Sequence, residues 1–172
     1  MQLVLTRSIV RSWRTTDAES LALHANNRAI WRNLRDAFPH PYSLADAHAF
    51  LARARAMDPE TFFAIEIDGA AVGGIGYSLH QDVERVSAEI GYWLGEPFWN
   101  RGVLSEALAA VTRHAIAAHD LTRVYALPYA WNAASCRVLA KAGYVLEGRL
   151  RKSARKDGEI TDQFLWAFVT AD

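Results

Sequence analysis

One stretch of the sequence, PFWNRGVLSEALAAV at residues 97–111, combines residue types that suit anion binding. Turn-forming Pro97 and Asn100 lead into Gly102, and an Ala- and Leu-rich run with helical spacing follows. The first N–H groups of a helix lack partners within the helix, and the helix dipole adds partial positive charge there. Phosphate suits such an end, and Arg101 adds a formal charge. An ordinary helix that starts after a glycine explains the same features, so the stretch alone does not decide between the two.

A second stretch, at residues 132–144, has the pattern N-x-x-S-x-x-x-L-x-K-x-G-[FY] and follows a run typical of a strand. Asn132 and Ser135 stand at the start of a predicted helix, and Gly143 is a good residue to end it.

The predicted elements around both stretches alternate between helix and strand spacing. Strands are expected at 3–12, 61–68, 70–79, 86–94, 122–129, 144–151 and 161–169, and helices from 16 or 17 to 26, around 30–34, from 43 to 54, from about 103 and over 134–143. The order β-α-α-α-β-β-β-α-β-α-β-β predicts an α+β fold. We expect a mixed, mostly antiparallel sheet of six to seven strands flanked by helices, with a β-α-β crossover in the middle.

The bulk composition indicates one globular domain over residues 1–172. Nineteen basic residues balance nineteen acidic ones, so no global field attracts nucleic acid or a membrane surface, and neither is expected as a partner. The single cysteine, Cys136, fits a reducing cytoplasm, and the N-terminal run lacks the layout of a signal peptide. No apolar run approaches the ~20 residues of a membrane helix. We therefore expect a cytoplasmic protein.

Several spaced motifs in this order resemble the GNAT superfamily of acyl-CoA-dependent N-acyltransferases. They are the W-x-R-G-x-x-x-E-A helix start and the pattern at 132–144. Three segments are similar to those of its RimJ/RimL branch, the ribosomal-protein N-terminal acetyltransferases: EIGYWLGEPFWNRGVLSEAL, EGRLR and KDGEITDQ. The resemblance runs from about residue 3 to 169. It implies the GNAT fold, acetyl-CoA as co-substrate, an amine acceptor (a protein N-terminus or a small molecule), no metal, and a monomer or homodimer.

The resemblance also implies where acetyl-CoA binds, namely a gap between strands 86–94 and 122–129. Backbone groups of Tyr92, Trp93 and Leu94 would pair with the pantetheine arm. The pyrophosphate would contact amides of Asn100, Arg101, Gly102, Val103, Leu104 and Ser105. Asn132 would bond the pantetheine or the chain beside it, Ser135 would lie near the sulfur, and Arg137 is a candidate ligand for the adenosine phosphate.

Acetyl transfer requires a neutral amine, so a proton must leave an amine that is mostly protonated at pH 7. Glu89, on the central strand, is the candidate base, directly or through water. The alternative is a carboxylate on the solvent face of the sheet, satisfied by Arg85 or water. Ser135 is a candidate proton donor to the thiolate, and the alternative is a plain residue of the first helical turn.

Two positions depart from the pattern of the RimJ/RimL branch. A carboxylate after EGxxR is a second proposed base in that branch, whereas residues 152–155 here read Lys-Ser-Ala-Arg. Three alternatives follow: Glu89 works alone through water, Glu159 or Asp162 supplies the base, or the substrate amine arrives deprotonated. Leu104 replaces the small residue that is usual beside the pyrophosphate.

The other residues whose side chains could take part in chemistry have simpler interpretations. The six histidines lack zinc-ligand spacing, and Cys136 is interpreted as a small buried helix residue because direct transfer needs no acyl-enzyme. The basic residues Arg151, Lys152, Arg155 and Lys156 fit a solvated hairpin better than an RNA site. Trp31, Phe38, His40, Tyr42 and Tyr129 are candidates to line the acceptor pocket. A non-catalytic acyl-CoA-binding sensor or regulatory module remains the rival function.

Overall fold

The computed structural model describes residues 1–171, which form eight strands and five helices. The strands are β1 (Gln2–Val4), β2 (Ile9–Ser12), β3 (Phe62–Ile67), β4 (Ala70–Leu79), β5 (Ser87–Leu94), β6 (Arg123–Ala126), β7 (Val145–Lys156) and β8 (Glu159–Val169). The helices are α1 (Ala18–Ala25), α2 (Arg28–Trp31), α3 (Leu44–Arg55), α4 (Val103–His119) and α5 (Ala133–Lys141). Within residues 1–171, no helix is both long enough and apolar enough to cross a membrane.

The strands form one mostly antiparallel sheet in the order β1-β2-β3-β4-β5-β6-β8-β7. Strands β5 and β6 pair in parallel, with Ser87 opposite Arg123 and Glu89 opposite Tyr125. Parallel neighbours need a crossover connection, and here α4 provides it. The predicted α+β class and the central β-α-β crossover are confirmed.

The sheet has one strand more than the sequence predicts, because residues 3–12 form two strands. The amide of Leu5 donates to the carbonyl of Ser8 at 2.9 Å, and this turn joins β1 to β2. The two strands pair antiparallel, with Leu3 opposite Val10. The polar residues Thr6, Arg7 and Ser8 mark the turn, although apolar residues on both sides give the appearance of one strand.

Local signals elsewhere predict the element boundaries well. Ser43 and Asp46 form a reciprocal capping box at the start of α3, with Asp46 N to Ser43 Oγ at 3.2 Å and Ser43 N to Asp46 Oδ2 at 2.8 Å. Asp68 and Gly69 both have positive φ angles, 51° and 81°, as a tight hairpin turn between β3 and β4 requires. Gly143 follows α5 with φ at 91°, which is the left-handed conformation that ends many helices.

The chain divides into two compact units, so that the single domain expected over residues 1–172 stays a prediction. The first unit comprises Met1–Gly76 and Tyr92–Ala107. Its core joins α1, α3 and the β3–β4 hairpin through Trp13, Leu21, Tyr42, Leu51 and Ala64, all of which are buried.

The second unit comprises Tyr77–Gly91 and the chain from Leu108 onward. Leu108, Val111, Val124 and Leu139 are among its fully buried side chains. The buried hydroxyl of Thr112 is paired in this unit, since its Oγ1 lies 2.6 Å from the Tyr144 hydroxyl. Burial raises the pKa of Tyr144, so this hydroxyl stays protonated.

Candidate functional site

The start of α4 in the first unit has backbone amides without a carbonyl partner within the helix. A short helical turn over Glu96–Phe98 precedes it, and Asn100 and Gly102 then take positive φ angles of 60° and 79°. Glu106 N donates to Gly102 O at 3.2 Å, so the amides of residues 103–105 stand ahead of the first helical hydrogen bond. Gly102 adopts this conformation without the steric penalty of a side chain. The arrangement suits an anion at the helix end.

The loop before α4 is held by one side-chain and one backbone hydrogen bond. Trp99 Nε1 donates to Leu94 O at 2.6 Å, and Gly95 N donates to Val72 O at 2.8 Å. The exposed Arg101 guanidinium lies 5.7 Å from the ring centre of Phe98, within the range of a cation–π contact. The cation is thereby kept beside the helix start, next to Gly102.

Glu106 fastens the β1–β2 turn to the first turn of α4, a role that sequence reasoning missed. Its carboxylate accepts the amide of Thr6 at 2.8 Å and the amide of Arg7 at 3.2 Å. The Arg7 guanidinium lies 3.7 Å from the same carboxylate. Burial opposes the ionised form, but the bonds from Thr6 and Arg7 outweigh it, so the pKa of Glu106 lies below its ordinary value. Its partners lie about a hundred positions away, beyond the reach of any local signal.

The end of β5 approaches glycines of β4 within the first unit. A Cβ on Gly73 would lie 2.6 Å from Trp93 O, and one on Gly74 would lie 2.7 Å from Trp93 Nε1. The glycines of β4 therefore allow the end of β5 to approach closely. Leu94 is buried, whereas Tyr92 and Trp93 are half-buried.

Aromatic side chains cluster around the loop between α2 and α3 in the same unit. The Phe38 ring lies 4.9 Å from that of Tyr42 and 5.8 Å from that of Trp93. Trp31 lies 5.7 Å from the exposed His40. Tyr42 is a core residue, only 5% exposed, and burial raises its pKa to about 12. Phe38, Trp31 and His40 remain accessible candidates for an acceptor pocket.

The second unit contains the remaining predicted site residues. Glu89 is half-buried on β5, opposite Tyr125 of β6. The Arg85 guanidinium donates to the carbonyl of Asp82 at 2.8 Å. The aromatic candidate Tyr129 is buried, only 8% exposed.

Helix α5 begins as the pattern at 132–144 predicts. Asn132 is its N-cap, and its side-chain oxygen accepts the amide of Ser135 at 3.1 Å. Ser135 is half-buried in the first turn, and Arg137 is exposed. Burial raises the pKa of the half-buried Cys136, which keeps it a thiol and agrees with a packing role.

Asp162, one of the alternative candidates for the base, lies close to the segment 152–155. Its carboxylate accepts the amide of Lys152 at 2.7 Å and Arg149 Nε at 2.6 Å. Both bonds favour the ionised form and lower the pKa of Asp162. A carboxylate with a lowered pKa is a poor proton acceptor. Glu159 is exposed at the end of the hairpin.

The predicted site residues thus fall into two groups, one in each unit. Tyr92, Trp93 and Leu94 end β5 in the first unit, and the segment from Asn100 to Ser105 follows shortly after. Glu89, Asn132, Ser135 and Arg137 lie in the second unit. Within residues 1–171, no group of three or more His, Cys, Asp or Glu side chains is arranged to hold a metal ion.

Residues 7–145 match the family model described as acetyltransferase (GNAT) domain. The chain is 34% identical over 99 residues to the uncharacterized N-acetyltransferase YoaA of Bacillus subtilis, covering 57% of this chain and 55% of YoaA. It is 30% identical over 107 residues to the ribosomal-protein-serine acetyltransferase of Escherichia coli, covering 62% of this chain and 59% of that protein. The alignments thus span less than two thirds of these relatives.

Among solved structures, the fold is similar to RimL, a ribosomal L7/L12 alpha-N-protein acetyltransferase in complex with coenzyme A. The TM-score is 0.86 at 20% identity, over 97% of this chain and 96% of that one. This similarity concerns the fold.

Proposed function

Because the chain belongs to the acetyltransferase (GNAT) domain family, we propose that it is an N-acetyltransferase that binds acetyl-CoA and transfers the acetyl group directly to a primary amine. The acceptor that we favour is a protein N-terminal α-amine, since a ribosomal-protein-serine acetyltransferase is among the relatives. We expect the enzyme to work in the cytoplasm as a monomer or homodimer. The single observation that carries the proposal is the start of α4 after Gly102, where the first amides have no carbonyl partner within the helix.

The residues at this end fit a pyrophosphate. Amides from Asn100 to Ser105 supply N–H donors, the helix dipole favours negative charge, and the exposed Arg101 adds a formal positive charge. Leu104 fits this role despite its larger side chain, because its contribution is a backbone amide.

The remaining contacts with acetyl-CoA are assigned to β5 and α5. Tyr92, Trp93 and Leu94 would hold the pantetheine arm through their backbone groups. Asn132 caps α5 with its side-chain oxygen, and its side-chain amide nitrogen would donate to the ligand. Arg137, exposed on α5, would bind the adenosine phosphate.

Acetyl-CoA supplies a thioester carbon, which the amine nitrogen attacks so that a C–N bond forms and the C–S bond breaks. Glu89 takes the proton from the amine, directly or through one water. Backbone amides at the end of β5 stabilise the negative charge that develops on the carbonyl oxygen. Ser135 donates a proton to the departing thiolate and regains one from solvent.

Glu89 is favoured over the other carboxylates as the base. Asp162 is engaged by Lys152 N and Arg149, and the pKa of Asp162 is lowered, whereas the general base for an amine benefits from a higher pKa. Glu159 is exposed at the hairpin end and lacks the partial burial of Glu89.

The test is release of free CoA thiol when the protein, acetyl-CoA and a panel of N-terminal peptides and small amines are mixed. We expect release above background with at least one amine, and its loss in Glu89→Gln with acetyl-CoA binding retained. Acetyl-CoA binding without thiol release for any amine would contradict an enzyme. That result would favour a non-catalytic acyl-CoA-binding module, for which the absence of an acid in residues 152–155 already argues.

A further inference from the structure

A bulge interrupts strand β7 and projects positive charge. Leu150 pairs with Gln163 and Ala154 pairs with Thr161, so residues 151–153 lie opposite Asp162 alone. Lys152 takes a positive φ of 52° within the bulge. Arg149, Arg151 and Lys152 are all exposed, and together with Leu150 they line an open concave surface. We call these three cations the basic bulge.

Asp162 fixes the shape of the basic bulge and leaves it positive. Its carboxylate accepts Lys152 N at 2.7 Å and Arg149 Nε at 2.6 Å. The Ser153 hydroxyl donates to Leu150 O at 3.0 Å. Because one carboxylate faces three cations, the bulge keeps a net positive charge. Residues 149–156 contain five basic residues and no acidic one.

The basic bulge is connected to the start of α5 within the second unit. Asp162 O accepts the amide of Ala130 at 2.9 Å, and Gln163 Nε2 donates to Leu127 O at 3.1 Å. Asn132 N in turn donates to Tyr129 O at 2.8 Å. The bulge therefore borders the segment that leads directly into Asn132.

We propose that the basic bulge binds acidic side chains of the acceptor, so that the preferred acceptor is a peptide N-terminus followed closely by Asp or Glu. The proposal rests on the proposed function and adds the class of acceptor. Guanidinium and ammonium groups recognise carboxylates through charge and hydrogen bonds. The exposed Leu150 between the cations adds apolar contact for a peptide backbone or side-chain stem.

Nucleic acid fits the basic bulge less well than an acidic peptide. Phosphate backbones are bound by extended basic tracks, whereas this chain has formal net charge +0 and a carboxylate, Asp162, that faces the bulge from β8. An acidic peptide needs only a few positive charges at one place. The favoured occupant is therefore the acceptor peptide itself.

The experiment compares two N-terminal peptides that differ only at positions two to four. The acidic peptide has Glu and Asp at these positions, and the neutral peptide has Gln and Asn. Affinity is measured by fluorescence anisotropy of labelled peptide in the presence of CoA, and turnover is measured in parallel with acetyl-CoA. We expect the Kd and KM of the acidic peptide to be about three- to tenfold lower than those of the neutral peptide. The difference is modest because exposed ion pairs contribute little to the free energy of binding. The preference should shrink between about 0.05 and 0.5 M salt.

The decisive variant is Arg151→Gln/Lys152→Gln, which removes two charges and leaves the pair between Arg149 and Asp162 intact. We expect it to lose the preference for the acidic peptide while turnover of the neutral peptide is unchanged. The matched control is Arg55→Gln/Arg113→Gln, which removes two exposed charges elsewhere and should keep the preference.

Equal affinity for both peptides, or loss of preference in the control as well, would overturn the proposal. Tighter binding of single-stranded RNA than of the acidic peptide, abolished in the same variant, would also overturn it. Discrimination in anisotropy without turnover of any peptide would instead contradict the proposed acetyltransferase activity and leave the acidic-peptide surface supported. Thermal unfolding of both double variants checks that they are folded.

Discussion

Glu106→Gln tests whether one carboxylate holds the helix start that we assign to the pyrophosphate. The glutamate accepts the amides of Thr6 and Arg7, one on each oxygen. Glutamine has the same size but presents an NH₂ group to one of these N–H donors. We expect a loss of about 1–2 kcal/mol in the free energy of unfolding, because hydrogen bonds to charged groups are worth about 1.5–3 kcal/mol and this side chain is 24% exposed.

The loss should depend on pH in a defined direction. The pKa of Glu106 is lowered in the folded protein, so its contribution is fully present above the pKa of the unfolded chain. It is lost as the pH falls through the lower folded value. The free energies of unfolding of wild type and variant should therefore differ most at pH 7, and the difference should shrink toward pH 3.

The assay is urea or thermal unfolding at both pH values, combined with the KM for acetyl-CoA at pH 7. A loss of 1–2 kcal/mol corresponds to a drop in Tm of about 2–8 °C for a chain of this size. We expect the KM for acetyl-CoA to rise about three- to tenfold, with kcat changed less. The control Glu84→Gln, whose side chain is 74% exposed, should change stability by less than about 0.5 kcal/mol. The same loss at pH 3 as at pH 7, or an unchanged KM, would refute the reasoning.

Three further substitutions test other parts of the site. Glu89→Gln should lower kcat at least about 100-fold with the Kd for acetyl-CoA unchanged, and a kcat within twofold of wild type would exclude Glu89 as the base. Gly102→Ala should weaken acetyl-CoA binding, because φ is 79° at this position and a residue with a side chain is strained there. The control Gly69→Ala introduces similar strain, at φ of 81°, in the β3–β4 turn and should leave the affinity for acetyl-CoA unchanged. Titration calorimetry checks this pair, and equal affinities would contradict it. Gly73→Ala should lower Tm by several degrees, because its Cβ would meet Trp93 O at 2.6 Å, and an unchanged Tm in thermal unfolding would count against that close approach.

Much of the fold follows from signals that act over a few residues. The Gly143 helix end is confirmed, and it depends, like the Asp68-Gly69 turn and the Ser43–Asp46 capping box, on backbone geometry that only certain residue types favour. The parallel pairing of β5 and β6 agrees with the helix predicted between them, since parallel neighbours need a long crossover connection and a helix usually provides it.

Contacts between distant residues could not be predicted in the same way. Glu106 and Thr6 are separated by 100 positions, and nothing in either neighbourhood indicates the pairing. Asp162 could be proposed as a base from sequence, but its bond to Arg149 and its lowered pKa appear only in the folded chain. The turn within residues 3–12 was missed because its apolar flanks are typical of a continuous strand.

The roles of the predicted site residues depend on the ligand, so they stay proposals. The sequence and the structure agree that Asn132 begins a helix and that Gly102 precedes one. Neither residue type alone distinguishes a helix cap from a contact with acetyl-CoA, because both functions use the same backbone geometry.

The most direct test of the central claim is a single-turnover reaction of the protein with isotope-labelled acetyl-CoA and an amine acceptor, followed by mass spectrometry of protein and acceptor. Direct transfer predicts one labelled acetyl group on the acceptor nitrogen, an equal amount of free CoA thiol, and unlabelled protein at every time point. Acetyl-CoA that binds but stays intact with every acceptor would contradict the account, as would label that passes through the protein before it reaches the amine.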